Sequence, residues 1–172
     1  MHRNRLIPFA AAIAALTVLS ACGGGSGDSA KDWDPAALKE AAALADQVRK
    51  SGTPCTDYSP WDYKVLSTSL RDQSHLPVPA AVTNCTGDAK EDLTFQVFAS
   101  TEKKDQFAKA KAAVLCKGAT KAKISDMQVP YVDGPTWIME PDTDGTNDKL
   151  AQVLGGKVAH YTCNGPAIAP SS

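Results

Sequence analysis

The residues best suited to bind a metal lie in one acidic run near the carboxyl-terminal end of the chain. Counted from Glu140, acidic side chains occupy positions 1, 3, 5 and 9, and a glycine occupies position 6, which is the first half of the EF-hand order. Position 12 is Ala151, where that loop needs a bidentate glutamate. The calcium candidate is therefore weak and consists of Asp142, Asp144 and Asp148. We favour a turn with acids near the positive end of a following helix, and expect no metal.

A cysteine near the amino terminus predicts lipid attachment. Two arginines and then an apolar stretch, Leu6 to Leu19, precede it; this is the order of a secretory signal peptide, and the stretch is too short for an ordinary membrane span. Leu19-Ser20-Ala21-Cys22 resembles the lipobox of bacterial lipoproteins. That resemblance implies cleavage of residues 1–21 and acylation of Cys22 with fatty acid such as palmitate. The alternative is a plain signal peptide that is cut nearby.

Composition divides the rest of the chain. Residues 22–33 are rich in glycine and serine, which is typical of a flexible tether. Residues 34–164 are long enough for a single domain. Residues 165–172 are predicted to form a tail. Without residues 1–21, 16 Lys+Arg stand against 19 Asp+Glu, a net charge of −3, which does not favour nucleic acid as a partner. No second long apolar segment follows, so we expect membrane contact only through the lipid anchor.

Four further cysteines predict two disulfides, because an even number of cysteines in an exported chain is typical of paired thiols. Sequence order favours Cys55–Cys85 with Cys116–Cys163. If a hairpin leads into a helix over 102–116, the helix end returns towards Cys85, which keeps the pairing Cys85–Cys116 with Cys55–Cys163 open. No two of these cysteines have the short spacing that structural zinc sites favour.

The histidines and serines of the exported part carry no catalytic signature. His75 and His160 have no partner signature for a triad, and Ser67, Ser69 and Ser74 lie in no nucleophile motif. No glycine-rich phosphate loop precedes a helix. We therefore expect a protein that is not an enzyme and carries no cofactor.

Two clusters suggest a binding surface. Tyr58, Trp61 and Tyr63 could form an aromatic platform, although packing beneath the irregular segment 53–80 is the interpretation we favour. Lysines crowd the predicted helix 102–116 and its flank. They are Lys103, Lys104, Lys109, Lys111, Lys117, Lys121 and Lys123. We interpret them as a solvated helix face, with contact to anionic lipid or wall polymer as the alternative.

Hydrophobic periodicity and turn residues place the elements that would position these groups. Asp34-Pro35 opens a helix over 35–50, and Gly118 ends the helix at 102–116, whose predicted core stripe is Phe107, Ala110 and Val114. The other predicted elements are strands at 81–86, 92–99, 127–132, 136–140 and 157–163, a helix at 146–154, and one short element near 63–70 within the irregular segment 53–80. The order α-ββα-ββα-β predicts an α+β domain, with a mostly antiparallel sheet and helices packed on one face.

Several short motifs together resemble small secreted lipoproteins that are common in actinobacteria. These motifs are Cys55-Thr56-Asp57-Tyr58, Asn84-Cys85-Thr86-Gly87, Val132-Asp133-Gly134-Pro135-Thr136-Trp137 and Leu154-Gly155-Gly156-Lys157. The resemblance covers most of residues 34–163 and rests on structural features. Because those proteins are mostly of unknown function, the resemblance implies a cellular location and a fold but no activity.

The expected function is that of a lipid-anchored cell-envelope module at the outer face of the bacterial cytoplasmic membrane. Such a module would bind an envelope protein or a wall component without catalysis. The alternative is an inhibitor or immunity-type protein that blocks a secreted hydrolase by inserting a loop, for which segment 53–80 is the candidate.

Overall fold

The computed structural model describes residues 32–73, 76–87, 92–122, 127–141 and 146–163. The predicted signal peptide, Cys22, the tether up to residue 31 and the tail lie outside these residues. The same is true of five residues weighed in the sequence analysis, namely Ser74, His75, Lys123, Asp142 and Asp144.

The chain alternates helices and strands. The helices are α1 (Pro35–Lys50), α2 (Tyr63–Thr68), α3 (Thr101–Ala122) and α4 (Asn147–Leu154), and a π-helical turn, Ser69–Gln73, continues α2. The strands are β1 (Thr56–Pro60), β2 (Ala81–Thr86), β3 (Asp92–Val97), β4 (Gln128–Asp133), β5 (Trp137–Pro141) and β6 (Lys157–Thr162). None of the helices in the described ranges is long and apolar enough to cross a membrane.

Local chemistry explains where α1 and α4 begin and end. The carboxylate of Asp34 accepts hydrogen bonds from the backbone N–H groups of Ala36 and Ala37, at 2.8 and 2.9 Å, and Pro35 needs no donor at the first helical position. Gly155 ends α4 with a φ of 68°, a left-handed conformation that glycine adopts without strain. Both ends agree with the prediction to within a residue.

All six strands form one sheet in the order β1-β2-β3-β5-β4-β6, and every neighbouring pair is antiparallel. The central pair joins the two predicted hairpins, with Phe95 of β3 opposite Met139 of β5. The α+β fold and its antiparallel sheet are confirmed, and the order α-ββα-ββα-β is found with β1 and α2 added after the first helix. Strand β1, at the sheet edge, was not predicted, and α2 matches the single short element expected within 53–80.

Helices cover both faces of the sheet, so the prediction that they pack on one face is wrong. Adjacent side chains of β5 point to opposite sides: Met139 packs in a cluster with α1 and α4, whereas Ile138 packs in a second cluster with α3. We call these sides the α1 face and the α3 face. Both faces of the central strands are buried, with Phe95 and Met139 on the α1 face and Ile138 and Gln96 on the α3 face, and a buried face of a sheet must be covered.

The two disulfides join Cys55 to Cys85 and Cys116 to Cys163, which confirms the favoured pairing. The first fixes the start of β1 to β2, and the second fixes α3 to the end of β6. The alternative Cys85–Cys116 pairing is wrong because Cys85 lies in the α1-face cluster, whereas α3 packs on the opposite face.

Three further expectations are corrected by packing. Trp33, assigned to the end of the tether, is 3% exposed, since its indole N–H donates to the carbonyl of Trp61 at 2.8 Å. Helix α3 continues past Gly118 to Ala122. Its buried stripe is made of Lys104, Phe107, Ala108, Ala112 and Ala119, so Val114, placed in the core by the prediction, is exposed instead.

Candidate functional site

A groove of about 300 Å³ opens on the α3 face, between α2 with its following turn and helix α3. We call it the α2–α3 groove. Strands β2, β3 and β5 form its floor. Its lining residues are Trp61, Leu66, Leu70, Leu76, Val82, Thr94, Gln96, Phe107, Lys111, Val114, Leu115 and Glu140. Natural ligand sites are concave, largely apolar and hold a few placed polar groups, and this groove has that composition.

One wall comes from the segment that the sequence left irregular. Asp62 caps α2, and its carboxylate accepts a hydrogen bond from the backbone N–H of Val65 at 3.0 Å. Leu66 and Leu70, four residues apart, then fall on the same side of the helical segment. The backbone N–H of Leu76 donates to the carbonyl of Leu70 at 2.7 Å, which returns the chain to the groove and buries Leu76.

The floor of the groove is polar along β3. Thr94 and Gln96 are two residues apart and therefore point to the same face of the sheet. Gln96 is 5% exposed, yet among the described residues its carboxamide has no hydrogen-bond partner. In the described residues, the buried polar atoms without a partner belong to Thr83, Thr146 and Asn147 and not to Gln96, so the Gln96 carboxamide is accessible from the groove that it lines. Gln96 is the residue most clearly suited to receive a ligand.

An ion pair closes one side of the floor. The Lys111 ammonium donates to both carboxylate oxygens of Glu140, at 2.6 and 2.5 Å, and the Tyr161 hydroxyl donates to the same carboxylate at 2.8 Å. Burial and the neighbouring Glu140 charge raise the pKa of Tyr161 well above its ordinary value. Because Lys111 and Glu140 neutralise each other, the floor carries no unpaired formal charge.

The mouth of the groove exposes apolar surface. Three large hydrophobic side chains are exposed within the described ranges: Trp61 at 41%, Val65 at 69% and Val114 at 40%. Trp61 and Val114 line the groove, and Val65 lies on α2 beside it. A cluster of exposed apolar side chains beside a cleft is typical of a binding site.

The three aromatic residues singled out in the sequence do not share one platform. Tyr58 and Tyr63 pack against the α1-face core, and the Tyr63 ring meets the Trp33 ring edge-on at a centroid distance of 4.8 Å. Of the three, Trp61 alone lines the groove. Packing therefore accounts for two of them, and a binding role is left to Trp61.

The calcium candidate is only partly described. Asp148 is exposed in the first turn of α4. Glu140, the first position of the loop pattern, is engaged by Lys111 and Tyr161. In the described part of the chain, no three His, Cys, Asp or Glu side chains are grouped so that they could hold a metal ion.

The lysine cluster is divided by burial, so it is not a uniform solvated face. Lys104 is 5% exposed, with its ammonium 2.5 Å from Asp133 and 2.6 Å from the carbonyl of Gly134. Lys111 is half-buried against Glu140. These two positions continue the helical stripe of Phe107, and sequence reasoning missed them because lysine is rarely found in a core.

Comparison with protein-family models, with curated proteins and with solved structures found no match for this chain.

Proposed function

We propose that this protein is a non-enzymatic binding module of the cell envelope, and that the α2–α3 groove is its ligand site. The single observation that carries the proposal is Gln96, a polar side chain of 5% exposure on the floor of a groove whose walls are apolar. Natural ligand sites combine apolar walls with a few placed polar groups in this way.

We propose that acylated Cys22 anchors the protein at the outer face of the bacterial cytoplasmic membrane. The two disulfides support a compartment outside the cytoplasm, since structural disulfides are rare in the reducing cytosol. The Leu19-Ser20-Ala21-Cys22 motif supports the lipid anchor, because two acyl chains hold a protein stably at a membrane. Feeding cells a radioactive fatty acid tests this: Cys22→Ala should abolish the label, and retention of label would exclude the anchor.

The groove itself is tested with a matched pair of surface variants. Val114 lines the groove and Val65 does not, although both are exposed valines on helices. We expect Val114→Glu to weaken binding of the apolar dye Nile red by about tenfold, since a carboxylate at the mouth disfavours apolar occupancy, and Val65→Glu to leave it unchanged. Equal loss in both variants, or no dye binding by the parent protein, would contradict the groove as the site.

A second candidate function uses the same region. Trp61 and Val65 are exposed within segment 53–80, which favours the inhibitor or immunity-type alternative. If that alternative is correct, the protein will inhibit a secreted hydrolase, and Val65→Glu, at a position that does not line the groove, will relieve the inhibition while the Nile red titration still reports an intact groove. Absence of inhibition across a panel of secreted hydrolases would count against it.

A further inference from the structure

We infer that the α2–α3 groove selects an uncharged amphiphile, namely a short aliphatic chain that carries an amide or hydroxyl group. This inference rests on the proposed function and adds the chemistry of the ligand. Three properties of the groove support it: its apolar walls, its unpartnered polar floor and its neutralised charges.

The walls define the apolar part of the ligand. Leucines at 66, 70 and 76 line the groove together with Phe107, Val114 and Leu115 of α3, so a chain that lies between α2 and α3 contacts aliphatic and aromatic carbon. The volume of about 300 Å³ lies at the lower end of the range for natural ligand sites, about 300–1,000 Å³. The groove therefore suits one short chain.

The floor defines the polar part of the ligand. Thr94 and Gln96 present a hydroxyl and a carboxamide that have no hydrogen-bond partners among the described residues. A carboxamide both donates and accepts, so a ligand amide or hydroxyl that lies against it satisfies groups on both molecules. Such a ligand would bury its polar group at the floor and leave its chain between the helical walls.

The charges at the floor disfavour an ionised ligand. Lys111 and Glu140 are the ionisable residues among the described lining residues, and each already satisfies the other at 2.5–2.6 Å. A ligand carboxylate would compete with Glu140 for the ammonium and lie beside its negative charge. A ligand ammonium would compete with Lys111 for the Glu140 carboxylate and lie beside the positive charge of Lys111. Burial of an unpaired charge is unfavourable, so the neutral head group is preferred.

A series of probes with the same chain and different head groups tests this inference. The protein is the exported form from cells that express the full chain with Cys22→Ala, because a chain without the lipid anchor needs no detergent. The probes are titrated into it at neutral pH, below their aggregation limits. They are decanamide, decanol, decanoate and decylamine. Trp61 fluorescence reports binding, because Trp33 and Trp137 are buried at 3% and 4% exposure. We expect decanamide and decanol to bind about tenfold more tightly than the two charged probes, the factor that one good hydrogen bond supplies.

A substitution on the floor separates hydrogen bonding from simple burial. Gln96→Leu should lower decanamide affinity by about tenfold, whereas Gln152→Leu, at an exposed position on α4, should leave it unchanged. Binding of all four probes with equal affinity, or tightest binding of decanoate or decylamine, would overturn the uncharged-ligand inference and leave the groove as a binding site. Failure of all four to bind would overturn the proposed function as well.

Discussion

The ammonium of Lys104, in the first turn of α3, lies 2.5 Å from the Asp133 carboxylate and 2.6 Å from the carbonyl oxygen of Gly134. The Lys104 side chain is 6% exposed and that of Asp133 is 17% exposed. This contact joins the start of α3 to the turn between β4 and β5, far apart in sequence. It positions the helix that forms one wall of the α2–α3 groove.

Removal of the Lys104 charge should destabilise the fold, because the largely buried Asp133 carboxylate would then keep only the more distant and exposed Lys157 ammonium, at 4.0 Å. We expect Lys104→Met to lower the free energy of unfolding by about 3 kcal/mol in urea denaturation. Lys103→Met, at an exposed neighbour, should change it by less than about 0.5 kcal/mol. Adding Asp133→Asn to Lys104→Met should restore part of the loss, and failure to do so would show that charge burial is not the cause.

The turn glycine Gly134 should be far less tolerant of a methyl group than the helical glycine Gly118. A Cβ at 134 would lie 2.0 Å from the Trp137 ring, whereas a Cβ at 118 would meet nothing within 4 Å. Gly134→Ala should therefore lower the free energy of unfolding by about 3 kcal/mol, as in an overpacked core. Gly118→Ala should raise it by about 0.5–1 kcal/mol, as expected inside a helix.

Thermal unfolding followed by circular dichroism would compare these two glycine variants directly. A stable Gly134→Ala protein would mean that the Trp137 ring can move away from the turn. A destabilised Gly118→Ala protein would contradict the continuous course of α3 through this position.

The two disulfides should differ in their accessibility to a reductant. Cys55 and Cys85 are 2% and 1% exposed, while Cys116 and Cys163 are half-buried at the surface. Without denaturant, a small dithiol should reduce Cys116–Cys163 first, because thiol–disulfide exchange requires access to the sulfur. Timed alkylation and peptide mapping measure the order. Earlier labelling of Cys55 or Cys85 would contradict it.

Stability should fall at alkaline pH. Burial raises the pKa of Tyr131 to about 12, and burial with the Glu140 charge raises that of Tyr161 well above 10. As the pH rises above about 10, the unfolded chain loses these phenol protons first and binds fewer protons than the folded chain. The free energy of unfolding therefore decreases with rising pH, and the stabilisation is complete only below about pH 10.

Urea denaturation between about pH 9 and pH 12 would measure this dependence. Burial also raises the pKa of Tyr58. Tyr161→Phe removes one of these three phenols, so the stability of the variant should fall less steeply with pH than that of the parent protein. Identical slopes for the two proteins would mean that Tyr161 does not contribute to the alkaline loss.

Local sequence signals were sufficient for most of the regular structure. Asp34-Pro35 predicted the start of α1, and Gly155 predicted the end of α4, because capping and left-handed turns depend on residues that are adjacent in the chain. The strand positions at 81–86 and 157–163 followed from apolar patterning and turn residues. The favoured cysteine pairing was also correct, although two pairings stayed open until the sheet placed Cys85 and Cys116 on opposite faces.

Only the tertiary structure decided the features that depend on distant partners. Strand β1 contains Pro60 and a mostly exposed pattern, and it is a strand because β2, about 25 residues later, supplies the hydrogen bonds. Lys104 and Lys111 lie on the side of α3 that packs against the sheet because Asp133 of β4 and Glu140 of β5 form ion pairs with them. The α2–α3 groove has the same origin: its walls and floor come from separate segments, and no local pattern encodes the space between them.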